Sequence, residues 1–127
     1  MANRFTKHYT RDEARELLPQ VKLWFARITS LRADLDKLEK KLAVKLEPGV
    51  DLGGTMVNQW VRVMAEINEV FYEFHRREIQ IKDLDRGLID FPAFIGGREV
   101  FLCWEQDEDD IEFWHDLDTG YAGRERL

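Results

Sequence analysis

Hydrophobic residues in the first part of the chain recur at alternating spacings of three and four, as they do along one side of an amphipathic helix. One series comprises Val21, Trp24, Ile28, Leu31, Leu35, Leu38 and Leu42, and a second comprises Val57, Trp60, Met64, Ile67, Phe71 and Phe74. The sequence therefore predicts two long helices with the heptad spacing of a coiled coil. Thr10 and Glu13 have the spacing of a capping box, which predicts where the first helix begins. Pro19 lacks an amide hydrogen and crowds the preceding turn, so we expect a kink or break there.

Residues 47–54, between the two series, contain one proline and three glycines, a composition that predicts a loop. Two helices with apolar seams on either side of a short loop predict an antiparallel coiled-coil hairpin. Helix two also carries Met56, Val63 and Val70, a heptad-spaced row beside its main series. One neighbouring helix cannot cover a face this wide. We therefore expect this row, together with Trp60, to form an interface with the β portion or with a second chain.

The hydrophobic period changes to two from residue 79 onward, which predicts short strands at 79–82 and 111–115. Gly96-Gly97 lies between two further predicted strands, 89–95 and 98–104, and has the composition of a two-residue hairpin turn. Pro92 cannot donate a backbone hydrogen bond, so we expect no partner strand on its outer side.

These elements predict an α+β fold, in which a long antiparallel coiled-coil helical hairpin is followed by a small antiparallel β-sheet. We expect a single domain over residues 1–127, with the hairpin in 1–78 and the β portion in 79–127. A chain of this length can bury a core without disulfide bonds.

The net charge of −6 is distributed unevenly, because residues 79–127 contain 5 basic and 13 acidic residues. A protein that binds a nucleic acid duplex needs a basic surface, so this part of the chain is not expected to bind nucleic acid. The sequence lacks the run of about 18–20 apolar residues that spans a membrane, and because its first residues lack an apolar stretch, we expect no signal peptide. The lone Cys103 is typical of a reducing compartment. We therefore predict a cytoplasmic protein with no nucleic acid or membrane partner.

Carboxylates and one histidine fall at the predicted strand ends and turns of the β portion. The candidate metal ligands are Asp83, Asp85, Asp90, His115 and Asp118. If these strand ends converge, histidine with two or three carboxylates suits a divalent transition metal that keeps open positions for water or substrate. The alternative is structural. In the repeated pattern D-L-D-x-G, at residues 83–87 and 116–120, aspartate caps a turn and glycine supplies a positive φ.

Three other features each allow a functional and a structural interpretation. Cys103 is either a nucleophile with His115 as its base or a buried, inert thiol. The acidic residues of 105–112 either contact a basic partner or form a solvated loop. The arginines of the C-terminal tail, 120–127, either bind an anion or hold the C-terminus against the acidic portion.

Residues 81–93, 102–104 and 113–124, together with Phe5-Thr6 and Leu18-Pro19, resemble a bacterial family classified as domain of unknown function 2203. The resemblance covers nearly the whole chain. It implies a small cytoplasmic bacterial protein with helical and β portions, and it carries over no activity, cofactor or catalytic residue.

Two functions follow from these features. The first is a non-enzymatic module that self-associates as a homodimer or binds a protein partner through helix two. The second is a metal-binding or small-ligand-binding, enzyme-like site on the acidic β portion. No cofactor other than a divalent metal is expected, and the balance favours a protein that is not an enzyme.

Overall fold

The computed structural model describes residues 2–45 and 54–127, which form an α+β fold. Two helices, α1 (Arg11–Lys45) and α2 (Gly54–His75), precede the strands. The strands are β1 (Gln80–Asp83), β2 (Leu88–Ile95), β3 (Arg98–Trp104), β4 (Phe113–Asp116) and β5 (Glu125–Arg126). They form an antiparallel sheet in the order β1-β2-β3-β4-β5, and a single 3₁₀ turn at Tyr121–Gly123 precedes β5. The loop predicted at 47–54 lies outside the described residues except for Gly54, where α2 begins.

The chain is organised as two compact units. One comprises Met1–Lys22 and Glu73–Leu127 and contains the sheet, and the other comprises Leu23–Tyr72. The division runs through both helices, whereas the pattern of hydrophobic residues suggested a change between the helical and β portions at residue 78.

The predicted capping box forms at the start of α1. The Thr10 backbone N–H donates to Glu13 Oε1 at 2.9 Å, and the Glu13 N–H donates to Thr10 Oγ1 at 3.1 Å. We expected a kink or a break at Pro19, and there is no break, because α1 continues through the proline. Leu18 and Val21 on either side of the proline are 4% and 0% exposed, and burial of this kind offsets the roughly 3 kcal/mol that an interior proline costs a helix.

Within the second unit, side chains of α1 contact side chains of α2. Arg27 pairs with Glu66 at 2.9 Å, and Trp60 Nε1 donates to Glu39 Oε1 at 3.3 Å. The later residue of α1 contacts the earlier residue of α2, so the two helices run antiparallel there.

Burial decreases along the α1 series. Ile28 and Leu31 are 1% and 2% exposed, whereas the series members at positions 35, 38 and 42 are half-buried. The seam is therefore packed most tightly in its first half.

The middle of the sheet is buried on both faces, because residues 88–93 of β2 and 100–104 of β3 are all buried. Gly96 and Gly97 have φ values of +59° and +78°, so they form the predicted hairpin turn with positive φ at both central positions. β1 pairs with β2 only as far as Asp90. Among residues 2–45 and 54–127, the outer side of Pro92 therefore has no partner strand, as predicted, and its carbonyl accepts the Tyr9 backbone N–H at 2.7 Å.

Candidate metal centre

Three side chains from adjacent strands lie on the same face of the sheet. Asp90 of β2 is directly opposite Cys103 of β3, and His115 of β4 is opposite Phe101, two residues from Cys103. Because residues opposite each other, and residues two apart, share a face, the side chains of Asp90, Cys103 and His115 converge. One ligand atom from each residue lies within 4.8 Å of the others. All three residues are buried, with exposures of 2%, 0% and 2% respectively.

Both ring nitrogens of His115 are hydrogen-bonded. Nε2 lies 3.0 Å from each carboxylate oxygen of Asp90, and Nδ1 lies 2.7 Å from the backbone carbonyl oxygen of Asp116. A carbonyl oxygen only accepts, so Nδ1 carries a hydrogen and Nε2 is the nitrogen that faces the cluster. Metal-binding histidines are oriented in this way, with the second ring nitrogen donating to a backbone carbonyl or a carboxylate.

Opposing electrostatic effects act on the pKa of His115. Burial lowers the pKa of His115, but the hydrogen bonds to Asp90 and to the Asp116 carbonyl outweigh burial and leave the pKa above its ordinary value.

Cys103 differs from a reactive cysteine. Burial, assisted by the negative charge of Asp90, raises the pKa of its thiol to about 12, although Arg124 Nη1 lies 3.9 Å from Sγ. A nucleophilic cysteine needs a lowered pKa and a base with a free nitrogen. Neither condition holds, because the pKa of Cys103 is raised and both ring nitrogens of His115 are already hydrogen-bonded. The geometry therefore does not support a Cys103–His115 nucleophile.

A cavity of about 250 Å³ lies beside the three side chains, which form part of its wall. Its other lining residues are Lys82, Leu88, Leu117, Asp118, Gly120 and Tyr121. The buried cluster thus has one open side, and the walls there combine apolar side chains with a few polar groups, as in many small-molecule sites.

The structure brings together only some of the predicted ligands. Asp90 and His115 meet, and Asp118 lines the cavity, but the Asp118 carboxylate is 84% exposed and pairs with Arg4 at 3.1 Å. Asp83 Oδ1 accepts the Arg86 backbone N–H at 3.1 Å, which is the turn-capping role of the structural alternative. Asp85 is exposed in the same turn. Over residues 2–45 and 54–127, neither Asp83 nor Asp85 belongs to a convergent group of ligand atoms.

Sequence reasoning missed Cys103 as a ligand. The hairpin register could have identified it, because the Gly96-Gly97 turn fixes the register of β2 against β3 and so places Asp90 opposite Cys103. A thiol opposite a carboxylate on a predicted hairpin, with a histidine on the next strand, is a stronger indication than carboxylates at strand ends.

The acidic segment beside the site is bound internally, so the prediction of a solvated loop is wrong for three of its carboxylates. The ion pairs are Glu105 with Arg86 at 2.7 Å, Glu108 with Arg124 at 2.8 Å and Asp110 with Arg15 at 2.7 Å. The side chains of Glu105 and Glu108 are only 14% and 13% exposed. The Arg124 pair holds the C-terminal tail against the acidic portion, which is the structural role considered for the tail.

The fold and the site together define a small α+β protein with a buried carboxylate–thiol–imidazole cluster on one face of an antiparallel sheet. The chain belongs to the family described as "Uncharacterized conserved protein (DUF2203)", whose family model matches residues 7–127. No curated protein and no solved structure matches the chain. In the part of the chain that the structure describes, neither helix is long and apolar enough to cross a membrane.

Proposed function

We propose that the protein binds a divalent transition metal of the zinc type through Asp90, Cys103 and His115. The observation that carries this proposal is the convergence of three different donor atoms within 4.8 Å in a buried position beside a cavity. Zinc prefers nitrogen, sulfur and carboxylate oxygen ligands, and its catalytic sites have three protein ligands and one open position.

The spacing of the donor atoms suits a cation in place of a proton. His115 Nε2 and the Asp90 oxygens are 3.0 Å apart. Tetrahedral zinc, with bonds of about 2.0–2.2 Å to nitrogen and oxygen, holds such atoms roughly 3.3–3.5 Å apart. An opening of a few tenths of an ångström between the Asp90 and His115 side chains therefore fits these two ligands, and Cys103 Sγ lies within 4.8 Å of both ligand atoms. The thiolate of Cys103 and the carboxylate of Asp90 balance its two positive charges.

Thermal unfolding tests the proposal directly. Protein treated with EDTA is unfolded alone and then with Zn²⁺, Co²⁺, Mn²⁺, Mg²⁺ or Ca²⁺. Zinc or cobalt at 100 times its Kd adds about 2.7 kcal/mol to the free energy of unfolding, equivalent to a Tm increase of roughly 8–12 °C. Magnesium and calcium leave the Tm unchanged, because they prefer oxygen ligands.

Matched variants assign the effect to the site. Asp90→Asn, Cys103→Ser and His115→Gln each abolish the zinc-dependent increase. Asp83→Asn and Asp118→Asn, which remove predicted ligands outside the cluster, preserve it. A Tm that no cation changes in the unaltered protein, or an increase that survives Cys103→Ser and His115→Gln together, contradicts the proposal.

We also propose that α2 self-associates with a second copy of the chain. The four interface residues predicted from the sequence, Met56, Trp60, Val63 and Val70, are half-buried in the single chain. The observation that supports self-association is a set of more exposed apolar side chains on the same helix, namely Val57, Val61 and Tyr72 at 41%, 53% and 59%. We propose separately that the protein is cytoplasmic and of bacterial origin, as expected from the sequence.

A further inference from the structure

We infer that the open side of the metal centre binds a small monocarboxylate with a short apolar chain, and that Lys82 supplies the counter-charge. This inference rests on the proposed metal site. It is carried by the position of Lys82, by the charges around the cavity and by the nature of the cavity walls.

Lys82 is placed at the cavity by an irregularity in the sheet. Ile81 is opposite Ile89 and Asp83 is opposite Leu88, so Lys82 has no partner in the ladder between β1 and β2. Irregularities of this kind redirect a side chain and are frequent beside functional sites. The Lys82 ammonium lies 5.2 Å from the ring centroid of Phe101, whose ring is adjacent to that of His115.

Lys82 is also the cation whose charge is not balanced near the cavity. Arg86 and Arg124 pair with Glu105 and Glu108, and Arg4 pairs with the Asp118 carboxylate at the cavity wall. Within the described ranges of the chain, Lys82 forms no ion pair with a carboxylate.

The charges of the metal, its three ligands and Lys82 together indicate which ligand charge the cavity favours. A divalent cation with one carboxylate, one thiolate and a neutral imidazole has no net charge, so the single positive charge of Lys82 remains. A monoanion that occupies the open metal position and contacts Lys82 neutralises the cavity. A phosphate dianion leaves an excess negative charge there, which is unfavourable in a confined space.

The cavity walls indicate a carboxylate attached to a short apolar chain. Leu88 and Leu117 provide apolar surface, and the volume of about 250 Å³ is large enough for a small carboxylate with a short chain. At the other wall, the Tyr121 hydroxyl accepts a hydrogen bond from Arg124 Nη2 at 3.2 Å. Its own proton is therefore free to be donated to a carboxylate oxygen.

Absorption spectroscopy of the full chain loaded with Co²⁺ tests the inference. Cobalt bound to Cys103 produces visible d–d bands and a thiolate charge-transfer band, and a ligand that enters the open position changes the d–d bands. The probes are butyrate, acetate and inorganic phosphate, each titrated at constant ionic strength and at about pH 8.5, where phosphate is almost entirely the dianion. We expect butyrate to change the bands saturably and at lower concentration than acetate, and phosphate to bind more weakly than both.

Lys82→Met tests the counter-charge, and Lys7→Met is its matched control. Lys7 lies over the Tyr9 ring and outside this cavity. We expect Lys82→Met to weaken butyrate binding by about tenfold or more, as the loss of a charged hydrogen bond does, with unchanged cobalt bands before butyrate is added. Lys7→Met leaves butyrate binding unchanged.

The outcomes separate this inference from the proposed function. Absence of the cobalt bands in the unaltered protein contradicts the metal site and with it the inference. Normal cobalt bands that no carboxylate alters contradict the inference alone. Tighter binding of phosphate than of butyrate contradicts the ligand class, and equal butyrate affinity in Lys82→Met contradicts the role of Lys82.

Discussion

At the scale of single residues, Gly87 shows how one turn constrains the chain beside the candidate metal centre. Its φ is +64°, and a Cβ atom at this position would lie 2.6 Å from Cβ of Gln106. Alanine would therefore meet both an unfavourable backbone conformation and a steric clash. Gly96 provides the matched comparison, because its φ is +59° and no atom of the described part of the chain lies within 4 Å of a Cβ placed there.

We predict that Gly87→Ala lowers the free energy of unfolding by about 2–4 kcal/mol, and Gly96→Ala by about 1–2 kcal/mol. Urea denaturation of EDTA-treated protein measures both values. The difference between the two variants gives the energy of the clash with Gln106. Equal losses would mean that Gln106 moves aside at negligible cost.

The cluster itself could be predicted only in part at this scale. The sequence placed Asp90 and His115 in one set of candidate ligands because both lie near the ends of predicted strands, and the structure brings these two side chains together. It could not separate them from Asp83, whose carboxylate accepts a backbone hydrogen bond within its own turn. A turn-capping aspartate and a metal-binding aspartate have the same local pattern. The distinction depends on which strand lies opposite, and this is a property of long-range register.

At the scale of elements, α1 combines a uniform hydrophobic pattern with uneven burial. Leu31 and Leu35 are consecutive members of the series, yet Leu31 is 2% exposed and Leu35 is half-buried. The spacing of apolar residues predicted the helix and its buried side. It did not predict the decrease in burial, because burial depends on the neighbouring chain at each turn.

We predict that Leu31→Ala costs about 2–4 kcal/mol of unfolding free energy and that Leu35→Ala costs about half as much. The substitutions are chemically identical, so their difference reports burial alone. Asp109→Ala, at an exposed position of the acidic segment, serves as the control and changes stability by less than about 0.5 kcal/mol. Chemical denaturation ranks the three variants, and a larger loss for Leu35→Ala than for Leu31→Ala would contradict the described burial.

The elements that escaped prediction share one property, which is that distant residues stabilise them. The two-residue strand β5 pairs with β4, and the segment before it is held by the ion pair between Arg124 and Glu108. Neither feature has a periodic pattern of its own. Continuity of α1 through Pro19 likewise depends on the burial of Leu18 and Val21, which the local sequence does not reveal.

At the scale of the whole molecule, the charges of residues 79–127 are less available to partners than their number suggests. Several carboxylates of the acidic segment pair with arginines, including Arg15 from the start of α1. A count of charges along the chain could not show this compensation. Because these carboxylates are already paired with arginines of the same chain, there is less reason to expect a basic partner at this segment. The apolar side chains of α2 are then the stronger candidate for an interaction surface.

The exposed apolar residues of α2 share one face of the helix. Val57 and Val61 are one turn apart, and Tyr72 follows Val61 by 11 residues, or about three turns. On an ideal helix this face differs from that of Met56, Val63 and Val70, which the sequence analysis favoured. A symmetric dimer buries the same patch on both copies, so one charge introduced into the patch is brought close to its copy in the partner.

We predict that the protein is a dimer at tens of micromolar concentration and that Val61→Glu converts it to a monomer, because two desolvated carboxylates would face each other across the interface. Leu23→Glu is the matched control, since Leu23 is 64% exposed on α1. Sedimentation velocity measures the mass of each variant, and circular dichroism confirms that the helices remain. A monomeric unaltered protein over the whole concentration range contradicts self-association. A dimer that persists in Val61→Glu and dissociates in Val63→Glu would instead place the interface on the half-buried row predicted from the sequence.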